Sequence, residues 1–290
     1  MSQDIQTAPV AAPARQKSVL RHFLRHRLGM FGATVISIYV LVALVGPWLS
    51  PYDPNKTNLR NVLAAPSFEN WFGTDQFGRD ILTRIIFGAQ TSLLLGLCVV
   101  VLAISIGLSL GAIAGYFRGR IERLVVFGTD VLMTMPTIVI ALGIVTVLGG
   151  GIVSTIVAVS IAAIPRVIRI ARGAVLQVRS LEYIESSRTL GAPASYIILR
   201  HVIPNSIPPV IVEASLLMAE AVLIAAGLGF LGLGVPPPTA EWGQMLAEGR
   251  GYLRAAPHVS IFPGLAIALL VLGLNLTGDG LRDTLDVRTR

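Results

Sequence analysis

The sequence predicts an all-α integral membrane protein with six transmembrane helices, and three observations predict it. Of its 290 residues, 53% are hydrophobic and only 13% charged, against roughly 25% charged in a soluble domain. Six apolar runs approach or exceed the roughly 20 residues of helix that cross a hydrocarbon core. Basic residues concentrate on one side of those runs, as cytoplasmic loops do. An all-β membrane barrel does not fit, because its strands alternate apolar and polar residues and these runs do not.

In order, the spans fall at about 28–49, 90–117, 124–148, 152–170, 206–229 and 259–278. The first is too long for the apolar core of a signal peptide, and no Ala-x-Ala-like site closes it, so it reads as retained. Asp130 interrupts the third without ending it; the run "GGG" at 149–151 does end it. Ahead of the first span, "RQKSVLRHFLRHRL" sets Val19, Leu20, Phe23 and Leu24 at helical spacing among basic residues. That predicts a short interfacial helix in a cytoplasmic tail of residues 1–27, followed by a transmembrane domain over 28–290. His22 and His26 stand i, i+4; they read as interfacial side chains, with a metal pair as the alternative. Cys98 is the single cysteine, which precludes an intramolecular disulfide and a multi-cysteine metal site. It lies in an apolar run and reads as a small buried hydrophobe.

With the N-terminus inside, the inner segments hold Arg15, Lys17, Arg21, Arg25, Arg27, Arg118, Arg120, Arg123, Arg166, Arg169, Arg172, Arg179, Arg188, Arg200, Arg282, Arg288 and Arg290. The outer loops hold Lys56, Arg60, Arg79, Arg84, Arg250 and Arg254. Seventeen against six predicts that both termini are cytoplasmic. It also accounts for the net charge of +7 without nucleic acid.

Between the fourth and fifth spans lies "RSLEYIESSRTLGAPASYIILRHVIPN" (179–205). Ser180 suits a helix N-cap, and Glu182 lies favourably in the first turn. The first helix is predicted over 181–190, with Gly191 as its left-handed stop. Pro193 opens a second helix to about Val202, and Pro204, Pro208 and Pro209 are expected to disturb entry into the fifth span. Tyr183, Ile184, Leu190, Ile197 and Ile198 supply apolar anchors that a flexible linker lacks. Spacing alone leaves open an amphipathic loop lying on the membrane.

This stretch resembles the EAA motif of ABC-importer permeases. Glu185-Ser186-Ser187 stands where the family has Glu-Ala-Ala, and Gly191 stands at its glycine. The resemblance extends to "FGTDQFGRDILTRIIFGAQTSLLLG" (72–96), "AGYFRGRIERLVVFGTDVLMTMP" (114–136), "GFLGLGVPPPTAEWGQMLAEGRGYL" (229–253) and "FPGLAIALLVLGLNLTGDGLRDTLD" (262–286). Over residues 28–288 the chain is similar to C-type permeases of the dipeptide, oligopeptide and nickel importers. That implies a bacterial inner-membrane permease subunit moving a small solute, with di- or oligopeptides favoured over nickel chelates. It implies a second homologous permease, two ABC ATPases that bind ATP and Mg²⁺, and an extracytoplasmic binding protein. It also implies a helix-glycine-helix element docked into the ATPase, with Glu185 and Arg188 as polar contacts and Tyr183, Leu190 and Gly191 providing fit. Many relatives carry a Glu where this chain has Ala225, so no role is carried over there.

Three carboxylates at membrane depth are candidates for lining the pathway or for structural pairing: Asp130, and Glu213 and Glu220, which lie seven residues apart on nearly one face. Gly73–Asp80 reads as local salt bridging that pins the second span, with a partner contact as the alternative. Glu241, Trp242 and Glu248 are candidate contacts for a binding protein, and Trp242 suits an interfacial aromatic belt. Gly107, Gly111 and Gly115 recur every four residues, a spacing that lets helices approach closely. No G-x-x-x-x-G-K-[ST] occurs, and the only lysines are Lys17 and Lys56; the chain is predicted to bind no nucleotide or other cofactor and to be no enzyme. Neither H-E-x-x-H nor G-x-S-x-G occurs either. A passive channel would give no reason for the charged element at 179–205.

Overall fold

The computed structural model describes residues 17–286. Arg15, Arg288 and Arg290, and most of the 1–27 tail, lie outside them. A short helix α1 (Lys17–Phe23) leads into α2 (Arg27–Leu49), which returns the expected first span. The other long elements are α3 (Ile81–Phe117), α4 (Gly119–Met133), α5 (Thr137–Leu148), α6 (Ile152–Arg179), α9 (Ile203–Phe230) and α11 (His258–Asp286). Two short helices, α7 (Glu182–Thr189) and α8 (Ala194–Ile197), form an elbow between α6 and α9. At the opposite end, residues 50–80 and the segment carrying α10 (Trp242–Gly249) cover the bundle. The described residues contain an all-helical bundle with five helices long and apolar enough to cross a membrane, or six if the bent α4–α5 pair counts as one.

Several spans differ from their apolar runs, each for a local reason. The second begins at Ile81 rather than near 90 and runs 37 residues. Asp80 caps it by accepting the Thr83 N–H at 2.8 Å, and Arg84 is buried in an ion network instead of ending the helix. The third span is not one helix over 124–148. It breaks between α4 and α5 with a 90° bend, because Pro136 has no N–H to continue the ladder and its ring opposes the preceding turn. The fourth continues from 170 to Arg179, with Arg172 on the extension paired to Glu122. The sixth continues from 278 to Asp286.

The fifth span carries the largest difference. Pro204, Pro208 and Pro209 do not break its entry: the helix is irregular there, and α8 passes through a π-helical turn (Ile198–Val202) into α9. The second elbow helix is therefore the first turn of the span itself. Asn205 Nδ2 donates to the His201 carbonyl at 2.6 Å and Ser206 Oγ to that of Val202 at 2.8 Å. These side chains thus bond carbonyls of the π turn itself, the kind of local adjustment found where a helix is irregular.

The centre of the bundle is the contact between α3 and α6. A Cβ on Gly107 would meet Val167 at 2.6 Å, one on Gly111 would meet Ala171 at 2.7 Å, and one on Gly115 would meet Val175 at 2.7 Å. The small-residue stripe therefore packs inside this chain, the tight approach that glycine permits between membrane helices. A second close crossing joins α2 to α11, where a Cβ on Gly32 would meet the Gly273 carbonyl at 2.5 Å. Cys98 is half-buried and unpaired with another cysteine. His26 does not form a metal pair with His22: its Nδ1 accepts the Gly29 N–H at 3.0 Å to cap α2, and its Nε2 lies 3.2 Å from Asp283 Oδ2.

Replacing Gly111 by Val should force α3 and α6 apart, since a side chain there meets Ala171 Cβ and also the Ile168 carbonyl at 2.8 Å. The expected destabilisation is about 1–3 kcal/mol. Gly143→Ala, where a Cβ meets nothing within 4 Å, should leave stability close to wild type. Thermal unfolding of both variants in detergent, followed by monodisperse recovery, checks the pair.

Candidate functional site

Three polar regions stand out, one at each end of the bundle and one between them. At the elbow end, α7 begins not at a Ser180 cap but at Leu181. Ser180 instead closes α6, its hydroxyl donating to the Gln177 carbonyl at 2.8 Å. The helix stops at Gly191, whose φ of +82° is the left-handed conformation expected there. Gly191 N–H reaches the Arg188 carbonyl at 3.0 Å and Ala192 N–H the Ser187 carbonyl at 3.1 Å, the double bond of a Schellman stop. Ile184 and Ile197 are buried with Val202 against Tyr116, Val175 and Val178 at the base of α3 and α6. His201 sits edge-on to both Tyr183 and Tyr196, with ring centroids 6.1 and 5.5 Å away. That aromatic tie was not foreseen, because it depends on the π turn setting where His201 points.

Anchored this way, the elbow turns its other side outward. Glu182, Glu185, Arg188 and Gly191 are exposed, and Leu190 is 87% exposed. Glu182, Glu185, Ser186, Thr189 and Leu190 line an open hollow of about 490 Å³. Of the predicted anchors, Ile184 and Ile197 face in, whereas Leu190 faces out.

Along the middle of the bundle, α6 carries Arg166, Arg169 and Arg172 at three-residue spacing, so all three lie near one face. Arg166 reaches α9: its Nε is 2.6 Å from Glu213 Oε1, and its Nη1 is 2.7 Å from Glu220 Oε2. Arg169 Nη2 meets Asp130 of α4 at 2.7 Å, and Arg172 Nε meets Glu122 at 2.9 Å. Glu213, Glu220 and Asp130 are thus all paired with a neighbouring helix, through arginines that sequence reading assigned only to a loop count. A charge at membrane depth costs about 2.5–3.5 kcal/mol on insertion scales, and pairing offsets that cost. Arg166 and Arg169 nonetheless remain about half-exposed, at 43% and 55% of their side-chain surface.

At the loop end, buried charges link α3 to α10. Asp75 Oδ2 lies 2.6 Å from Arg79 Nε, and Arg79 Nη2 lies 2.7 Å from Glu248 Oε2. Arg84, fully buried, adds Asp75 at 3.6 Å and donates to the Pro54 carbonyl at 3.1 Å. The Gly73–Asp80 segment therefore pins α3 by local ion pairing. The candidate binding-protein contacts all have partners within the chain. Trp242 is fully buried, not in an interfacial belt: its Nε1 donates to the Ile85 carbonyl at 3.1 Å and its ring lies edge-on to Tyr39 at 5.7 Å. Glu241 is also buried, capping α10 by accepting the Gly243 and Gln244 N–H groups at 2.8 Å each. Burial pushes its carboxyl above the usual range, and those two backbone donors pull it partly back. Glu248 is occupied by Arg79 and by Gln76 Nε2 at 2.9 Å.

Residues 107–290, which hold the elbow and the arginine ladder, match the family described as binding-protein-dependent transport system inner membrane component. The chain belongs to that family. Residues 16–66 of this permease also match the N-terminal TM domain of oligopeptide transport permease C. It is 40% identical to the dipeptide transport system permease protein DppC of Alkalihalophilus pseudofirmus, over 94% of this chain and 90% of that protein. It is 42% identical to the glutathione transport system permease protein GsiD of Escherichia coli, over 93% and 89%. Its fold is similar to a chain of the MetNI methionine ABC transporter in an inward-facing conformation, with a TM-score of 0.58 at 20% identity, covering 70% of this permease and 97% of that chain.

Arg79→Ala should be strongly destabilising, because it removes the closest cation from both Asp75 and Glu248 and leaves them only the longer contacts to Arg84. Removing one partner of a buried pair typically costs about 3–5 kcal/mol. A drop in the thermal midpoint of the purified permease well beyond that of exposed Arg60→Ala is the expected result.

Proposed function

We propose that this permease forms half of the translocation pathway of an ATP-driven peptide importer in a bacterial inner membrane. It acts beside a second homologous permease, with two ABC ATPases below and an extracytoplasmic binding protein above. The elbow end is the cytoplasmic one: α1, Arg118, Arg120, Arg123, Arg188, Arg200 and Arg282 lie toward it, against Lys56, Arg60, Arg79, Arg84, Arg250 and Arg254 at the loop end. Peptides are the cargo favoured by relatives named for dipeptide and glutathione transport.

The observation that carries this reading is the build of the elbow. Ile184, Ile197 and Val202 tie it to α3 and α6, while Glu182, Glu185 and Leu190 line an open hollow and Arg188 stays exposed beside them in sequence. A surface held so firmly to the spans, yet open on its far side, suits a docking knob. Glu185 and Arg188 supply the polar contacts to the ATPase; Tyr183, Leu190 and Gly191 supply the fit. ATP binding closes the ATPase pair and favours one elbow position over the other, and only such differential binding can shift the bundle between inward and outward exposure. Because α8 runs continuously into α9, a displaced elbow moves that span directly.

Gly191→Val tests it. A Cβ there meets nothing within 4 Å, so the cost is the left-handed backbone alone, about 1–2 kcal/mol. The expected outcome is a permease that inserts and assembles but hydrolyses ATP without transporting. Co-purification on a tag carried by this chain should bring down ATPases and a second permease, with the ATPases lost on Glu185→Ala combined with Gly191→Val. Wild-type transport in the Gly191→Val variant would remove the elbow from coupling.

A further inference from the structure

The ion pairs along α6 are unequal, and the inequality is informative. Arg169 and Asp130 balance one to one. Glu122 is answered by Arg172 and, at 3.9 Å, by Arg118. Among the described residues, Glu213 and Glu220 are both answered by Arg166 alone, leaving those three groups a formal charge of −1. Glu213 is buried, and its Oε1 has no aligned hydrogen bond despite lying 2.6 Å from the guanidinium. One guanidinium therefore serves both carboxylates.

Depth and exposure say where the surplus points. Arg166 lies fourteen residues into α6 and Glu220 ten residues before the end of α9, so at about 1.5 Å per residue they sit roughly 21 and 15 Å from the loop end of their helices. Both fall inside a hydrocarbon core about 30 Å thick. Yet Arg166 is 43% and Glu220 30% exposed. Ionised groups at that depth face protein or water, not lipid. A surplus carboxylate opening onto water within low-dielectric walls concentrates cations.

We propose that the Arg166–Glu213–Glu220 cluster is a station for the ammonium group of the solute in transit, with Glu220 making the contact and Arg166 holding both carboxylates in place. The ligand class is a primary ammonium such as a peptide amino terminus. This rests on the reading of the chain as a solute permease, and it assigns part of the selectivity to the membrane subunit itself.

Leu223 provides the probe. It is 55% exposed and lies three residues beyond Glu220 in α9, so it shares that face. In a Cys98→Ala chain assembled with its partners in membrane vesicles, the L223C thiol is labelled with cationic trimethylammonium-ethyl and anionic sulfonatoethyl thiosulfonates. Each rate is divided by that for a free thiol. The cation should be favoured at least about tenfold, Glu220→Gln should abolish most of the preference, and Glu220→Asp should keep it. No labelling by either reagent, or a preference unchanged by Glu220→Gln, would overturn the station and leave the cluster a helix clasp. A dipeptide with a free amino terminus should slow labelling more than its N-acetylated form, and equal slowing would overturn recognition of the ammonium. Cation preference with no effect of any dipeptide would keep the cationic station and overturn the peptide cargo instead.

Discussion

The close approach of α3 to α6 is the constraint on which the rest of this permease depends. Glycines at 107, 111 and 115 let Val167, Ala171 and Val175 seat directly on the α3 backbone. In lipid, where apolar surfaces gain little from meeting each other, such tight packing is what holds helices together. It also fixes the rotation of α6. With 167, 171 and 175 turned toward α3, Arg166, Arg169 and Arg172 must lie on other sides of the helix. They reach α9 and α4 as a result, so one packing decision creates both the core and the charged lane beside it.

The two ends of the bundle handle their polar groups in opposite ways. At the loop end, Asp75, Arg79, Arg84 and Glu248 are drawn inside and satisfied by one another and by backbone carbonyls. Trp242 and Glu241 are buried with them and lock α10 against α3 and α9. At the elbow end, Ile184 and Ile197 go inside and the charges stay out. One end is closed on its own charges, and the other presents them.

The run of α8 through a π turn into α9 joins these regimes. One continuous helix therefore links the elbow to Glu213 and Glu220. The irregular turn falls just before three prolines, where side chains of Asn205 and Ser206 hydrogen-bond to carbonyls of the preceding turn.

Much of this was legible in the sequence. Apolar runs of sufficient length fixed an all-helical membrane protein, because only helices or closed barrels satisfy the backbone in lipid. Gly191 announced a left-handed stop, and the surrounding segments carried the permease resemblance. What composition cannot show is where a charge goes once helices pack. Arg84 and Trp242 look like surface residues one at a time, and only the tertiary structure buries them, by supplying Asp75, Glu248 and the Ile85 carbonyl as partners. The 90° break at Pro136, the uninterrupted passage past Pro208 and Pro209, and the pairing of Arg166 with two carboxylates were decided there too. Each depends on which distant groups stand close enough to satisfy a donor, an acceptor or a charge, and periodicity along one chain carries no record of those distances.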